Sequence, residues 1–349
     1  MFPHPVTRPG VVLPCHVDPA GRTGPTPGQA RGPRWRRVAP AWCVPSGIDG
    51  GALEQRVVEA LAGLPADAAV TGWASLGWRR ESRWFGGIAE DGRTRLDVPI
   101  ALTTRGARPR TGVELTEDWL FEADVEVIDG LPVTRVERAV AFEVCRATSV
   151  AVAVRVIDMA CADDLTDLAG LRRYAGGLVS RPGICTFRDA LDLADENAWS
   201  PQEVGMRMAW LRRRPRAVLQ TNCPLFDPAA PNGRHLTTPD LIDLRAGVVG
   251  EYEGVVHLAD GVRRKDLDRD ALYRDLDLEV VTMMSEDRRD VSAFFARLDA
   301  AYRRAEKRSD HPRRWTTEQP GWWVDTSTVA RRRALDEHQR RIWLRRLAG

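Results

Sequence analysis

Hydrophobic residues recur with two different periods along this chain, and each change of period marks an element. Leu53, Val57, Val58, Leu61 and Leu64 share one helical face, so 51–63 is predicted as an amphipathic helix. A second short helix is expected over 71–79 (TGWASLGWR). The period then falls to two: Leu96, Val98, Ile100 and Leu102 form one face of a half-buried strand. Asp124–Asp129 (DVEVID) alternates again before an Asp129-Gly130 turn. In 133–147, Thr134 reads as an N-cap with Glu137 three residues on, the spacing of a capping box. Helices are expected over 148–160, 166–176 and 184–195.

The second half has a sharper order. Ser200-Pro201-Gln202-Glu203 opens a helix, with Ser as N-cap, Pro at the first helical position and Glu at the third. That helix runs to about Arg213. Strands are expected at 217–222, 224–227 and 238–244, and the turn Arg245-Ala246-Gly247 leads into a strand over Val248–Gly254. A charged helix (261–275), a strand (278–284) and an amphipathic helix (288–306) follow. With 217–227 taken as one interrupted strand, the order is αβββαβα. The strand–helix–strand unit implies a parallel pair with a right-handed crossover. The expected class is α/β, with an αβββαβ core over 196–308 and a separate α+β domain over 34–195.

Three flanking segments differ. Residues 1–33 hold eight prolines and five glycines, too little apolar surface to offset ordering entropy, so they are expected to be disordered or loosely attached. Arg34–Pro45 (RWRRVAPAWCVP) is basic and aromatic, either a strand docked on the next helix or the wing of a small DNA-binding module. Residues 309–349 read as a Trp-rich strap with a basic tail: 311–325 carry Trp315, Trp322 and Trp323, and the last nineteen residues carry seven arginines. That tail is expected to be a solvated or packing helix, with contact to nucleic acid as the other reading.

Composition adds exclusions. The chain has 349 residues, 43% apolar and 29% charged, as in an ordinary globular protein of about two domains. No apolar run approaches the roughly 18 residues of a membrane span. The N-terminus shows no charged start with a long apolar core, so no secretion signal and no membrane partner are expected. Six irregularly spaced cysteines without a C-x-x-C pair predict free thiols in a reducing cytoplasm rather than a disulfide frame or zinc site. Net charge is only +2, so no global field advertises nucleic acid. Lys265 and Lys307 are the only lysines among 51 cations, a bias that fits a GC-rich genome.

The candidate chemistry falls in the second half. On a strand, Glu251 and Glu253 point to the same face, and the Arg245-Ala246-Gly247 turn brings Asp240 near Glu251. Glu203 lies in the first turn of a helix packed on that sheet. Convergent carboxylates repel unless a cation neutralises them or a pKa rises. All-oxygen donors suit Mg²⁺ or Mn²⁺. The other reading makes Asp240, Asp243 and Glu253 ordinary strand-end carboxylates at the surface.

The run SPQE…TPDLIDL…GVVGEYEGVVH…RRKDLDRDALYRDLDLEVVTM resembles the very-short-patch-repair-like branch of the PD-(D/E)XK nuclease superfamily, as found at the C-terminus of a large actinobacterial family. The resemblance covers roughly 200–305 and implies a restriction-endonuclease-like core. Carried over by position, it implies catalytic roles for Asp240, Glu251, Glu253, Glu203 and His257, with Asp240, Glu251 and Glu203 as metal ligands. The superfamily's lysine falls at position 253, where this chain has Glu253; Lys265 is one helix later. Residues 34–200 are more weakly similar to AbiEi-type antitoxins of type IV toxin–antitoxin systems, through RWRRVAPAWCVP and VIDGLPVTRVERAVAF, with a truncated winged helix.

Two functions follow as expectations. One is an Mg²⁺-dependent endonuclease acting on DNA, with Arg207, Arg263, Arg264 and Lys265 as nucleic-acid contacts and Arg212, Arg213, Arg214 and Arg216 as further rim cations. The other is a non-catalytic DNA-binding regulator or antitoxin-like protein that uses the nuclease fold as a scaffold, with a protein partner of the toxin–antitoxin kind. A docked Trp-rich strap covering the site would point instead to a structural or partner-binding role.

Overall fold

In a computed structural model, residues 5–104, 106–253, 269–308 and 312–344 are described. The chain is a mixed α and β protein that divides into two compact units. The first comprises 1–148 and 169–189, the second 149–168 and 190–349. The division differs from the expected boundary near 195. The apolar helix Val150–Ala162 belongs to the second unit, because its Asp158 pairs with Arg207 there.

The first unit is built on a five-stranded sheet in the order Val113–Thr116, Val98–Ala101, Ala69–Val70, Leu131–Thr134, Val125–Ile128. The helices Leu53–Leu61, Gly72–Gly77 and Val136–Cys145 belong to the same unit. Thr134 does not cap the last of these. It ends a strand, its hydroxyl donates to Thr71 Oγ1 at 3.0 Å, and the N-cap is Arg135 without a side-chain cap. Strand pairing outweighs the local capping signal.

Residues 5–33 are tied in rather than loose. Cys15–His16 pairs with Trp42–Pro45, which pairs in turn with Trp35–Ala39. Gln55 exchanges two hydrogen bonds with the backbone of Val12, at 3.0 and 2.9 Å. A Pro- and Gly-rich segment that buries little of its own surface can still be held by backbone bonds to a neighbour. Arg34–Pro45 accordingly forms a β-hairpin. All six cysteines are free.

The second unit holds a four-stranded sheet in the order Glu279–Met284, Val248–Glu253, Leu241–Asp243, Leu219–Thr221. The first pair is parallel and the other two are antiparallel. The parallel pair is joined by a crossover whose described part is helical over 269–275. Residues 217–227 do not form one strand. Asn222 turns into the left-handed region at φ 48°, and Leu225–Asp227 leaves the sheet to pair with Arg234–Thr237, a strand the sequence pattern missed.

Both faces of this sheet are covered. Helices Pro201–Arg213 and Ser292–Ala305 bury Met206, Trp210, Phe294 and Leu298 against Leu241, Val248 and Val281. On the other face Ile242 and Val249 meet Tyr273, Leu276, Leu225 and Trp315. Period-two alternation thus separates two apolar layers. The strap is part of the unit: Trp315 is buried, and Thr316 pairs with Phe226 through two backbone bonds. Farther on, buried Arg332 ties helix Val329–Arg333 to Cys161 O at 2.7 Å, Asp164 Oδ1 at 2.8 Å and Glu196 O at 3.0 Å. This arginine of the basic tail is a packing residue. Among the described residues no helix is long and apolar enough to cross a membrane.

Trp210 is fully buried, and its ring runs under the central strand at Gly250. A Cβ at Gly250 would lie 2.7 Å from Trp210 Cζ3. Gly250→Ala is therefore expected to cost about 1–3 kcal/mol through overpacking. Denaturant unfolding followed by tryptophan fluorescence measures it, and an unchanged midpoint would contradict this packing.

Candidate functional site

The site is assembled at one end of the four-stranded sheet. Glu203 is the third residue of its helix, and the helix terminus turns the carboxylate back on itself. Ser200 Oγ accepts from Glu203 N at 3.2 Å and donates to Glu203 Oε1 at 2.9 Å. Glu203 Oε2 accepts from Trp199 N at 3.0 Å and from Asn222 Nδ2 at 2.8 Å. Asn222 also donates its backbone N–H to Asp240 O at 2.9 Å and Nδ2 to Asn197 O at 2.8 Å. It is 2% exposed, and among the described residues its buried Oδ1 has no hydrogen-bond partner. Asparagine tolerates the left-handed turn that this bridging position requires.

Asp240 stands one residue before its strand, where the antiparallel register Leu241↔Gly250 directs it toward Glu251. Its Oδ2 accepts from Tyr252 N at 2.8 Å. Glu251 is buried and fully engaged: Tyr273 Oη donates to Oε1 and Arg269 Nη2 to Oε2. Arg269 Nε also donates to Tyr273 Oη at 3.3 Å. Arg269 and Tyr273 are four apart, so one helical face presents both to the strand. Hydrophobic periodicity does not mark this clamp. An i,i+4 Arg–Tyr pair in an otherwise acid–base helix was the available signal.

The three carboxyls are electrostatically linked. Burial pushes Glu203 up from an ordinary 4.5 to about 7, and the charge of Asp240 adds to the rise. Glu251 rises to about 8 for the same two reasons, in that order, against the opposing charge of Arg269. Asp240 is itself raised by burial, opposed by the Tyr252 N–H and Arg269. Asp240 is therefore the common neighbour of carboxylates from a helix and from the adjacent strand.

Other expected residues fall elsewhere. Glu253 is exposed at the end of its strand. His257, Arg263, Arg264 and Lys265 lie outside the described residues. Arg207 is not a phosphate contact. It is 6% exposed, pairs with the fully buried Asp158 and donates to Leu193 O. Burial comes first in raising Asp158 to about 7, with Arg207 opposing it. Arg213 and Arg214 both reach Asp299 and pack near Phe295 and Tyr302, so neither is a free rim cation. Asp243 is not a surface carboxylate. It is 3% exposed and takes Tyr302 Oη at 2.6 Å and the turn N–H of Arg245 at 2.9 Å.

Buried, mutually repelling carboxylate oxygens are the type of donor that a hard divalent ion takes. The expected three-carboxylate ligand sphere of Asp240, Glu251 and Glu203 is not formed in this arrangement. Both oxygens of Glu203 and of Glu251 already accept hydrogen bonds. Among the described residues no group of three or more His, Cys, Asp or Glu side chains is placed to hold a metal. Arg269 supplies the positive charge, and Glu251 would have to exchange it for the ion.

Comparison with protein-family models, with curated proteins and with solved structures finds no match for this chain.

Raised carboxyl pKa values have a direct consequence for stability. The native state holds a proton on Glu203 that the unfolded chain has lost, so stability is full below about pH 4.5 and falls as pH rises to about 7. The loss from this group is about 3 kcal/mol. Glu203→Gln keeps the shape without the ionisation and is expected to flatten that part of the profile. Melting temperatures of both proteins from pH 4 to 9 test this, and parallel profiles would refute it.

Proposed function

We propose that the second unit is a metal-dependent endonuclease-like hydrolase of DNA phosphodiester bonds, built on a PD-(D/E)XK-type αβββαβ core and working in the cytoplasm. The observation that carries the reading is the shared electrostatic neighbourhood of Asp240, Glu251 and Glu203. These carboxylates come from a strand start, an adjacent strand and a helix N-terminus, and each is raised by burial against its own ionisation. The order of helix, three antiparallel strands, crossover helix and parallel strand supports it.

In this reading Asp240 and Glu251 would hold Mg²⁺ or Mn²⁺, with Glu203 beside them. The ion would lower the pKa of its water and stabilise charge on the phosphodiester under attack. The chain's own residues orient the site. The Tyr252 N–H fixes Asp240, and the Ser200–Asn222 network fixes Glu203. Glu203, raised to about 7, holds a proton next to Asp240. Arg269 can leave Glu251 for a phosphate, since guanidinium forks match both anions.

A second reading has its own support. Glu253 stands exposed where the superfamily lysine would fall, and Arg269 with Tyr273 already satisfies Glu251. Both features favour a non-catalytic DNA-binding scaffold with an antitoxin-like role and a protein partner.

Calorimetry with Mg²⁺ and Mn²⁺, paired with plasmid nicking, separates the two. Wild type is expected to bind metal and nick. Asp240→Ala with Glu251→Ala is expected to lose metal binding and at least about 10²-fold of the nicking rate. No metal heat and no nicking by wild type would remove the enzyme reading and leave the scaffold.

A further inference from the structure

A basic cleft in the first unit has no role in the chemistry above. It has a volume of about 330 Å³ and is walled by the strand Trp35–Ala39, the helix Leu53–Leu61 and the segments around Arg95 and Arg110. Five arginines line it (Arg36, Arg37, Arg56, Arg95 and Arg110) against two acids, Glu59 and Asp97. All belong to the first unit, so the argument does not rest on the nuclease reading.

The arginines divide by what already holds them. Arg36 is bidentate to Glu59, at 2.7 and 2.6 Å, which consumes that acid. Arg110 closes the C-terminal end of the helix, donating to Ala62 O at 2.6 Å and to Glu59 O at 3.0 Å. Carbonyls of Gly87 and Leu96 orient Arg56 beside the ring of Trp73, 5.1 Å away, without a carboxylate bond. Arg37 and Arg95 are exposed and make no ion pair among the described residues. Arg95 rests on Gly51, where a Cβ would meet its Nη2 at 2.7 Å. Burial first and the charge of Arg95 second lower the pKa of Arg56, with Asp97 opposing them. With Glu59 taken by Arg36, the guanidiniums of Arg37, Arg56 and Arg95 share the cleft with one remaining lining acid, Asp97, and with Asp49 beside Gly51, an excess of like charge that an anion would relieve.

We propose that this cleft binds phosphate groups, with Arg37, Arg56 and Arg95 as the receiving guanidiniums and Arg36 and Arg110 as the structural frame. Guanidinium forks match tetrahedral phosphate oxygens in paired hydrogen bonds. The volume suits a phosphate or pyrophosphate group, borne either on a nucleic-acid backbone or on a free phosphorylated molecule.

The full chain is titrated with inorganic pyrophosphate by calorimetry and with a fluorescent mixed-sequence duplex by anisotropy. EDTA keeps the carboxylate site out of the measurement. Wild type is compared with Arg37→Gln/Arg95→Gln and with Thr111→Glu, which puts a carboxylate in the cleft without removing an arginine. The expected result is saturable binding, weakened about tenfold for each arginine removed and also weakened by Thr111→Glu. Loss of pyrophosphate binding alone assigns a free phosphorylated ligand. Loss of duplex binding, with a salt slope shallower by about 0.9 per contact, assigns the nucleic-acid backbone. Binding of neither probe by wild type, or equal binding by wild type and both variants, overturns the proposal.

Discussion

The strand Val248–Glu253 is apolar-covered on both sides, and its parallel partner forces a crossover helix over one face. Charge on such a strand is tolerable only near its end or with a partner. Val248 and Val249 fill the two layers, Gly250 makes room for Trp210, and the acids come last. The crossover that covers the strand also delivers Arg269 and Tyr273 to Glu251. The packing solution and the polar site therefore have one origin.

The same constraint explains the dense bonding around Glu203. A carboxylate at a buried helix start costs free energy unless donors reach it. Ser200 and Trp199 reach it from the helix terminus, and Asn222 from the end of the strand Leu219–Thr221, which pairs with the strand that follows Asp240. Asn222 does double duty: its left-handed turn ends Leu219–Thr221, while its side-chain amide donates to Glu203 and its backbone N–H to the carbonyl of Asp240. Burial first and the charge of Asp240 second are what this hydrogen bonding leaves uncompensated.

Arginine plays two parts in this chain. In the second unit, Arg207 and Arg332 are buried against Asp158, Asp164 and backbone carbonyls, and Arg213 and Arg214 pair with Asp299 nearer the surface. In the first unit, Arg37 and Arg95 remain at a cleft without ion pairs among the described residues. A count of cations along the chain does not distinguish them, because what separates a structural guanidinium from a receptive one is the number of acceptors the fold places around it.

Local pattern was enough for most helices and for the Ser200–Glu203 helix start, since period and capping depend on near neighbours. It also placed Glu251 and Glu253 on one face and turned Asp240 toward Glu251, because a strand has period two and a short turn sets register. Long-range matters lay beyond it. Thr134 ends a strand because of Thr71, residues 5–33 are held by strands they do not contain, and Leu225–Asp227 finds its partner across a loop. Arg207 is withdrawn from solvent by an aspartate 49 positions earlier. Residue spacing along the chain determined which carboxylates sit near one another; only tertiary packing decided which were buried, how far their protons are held, and which arginines were already spoken for, because desolvation and partner supply are properties of the assembled fold.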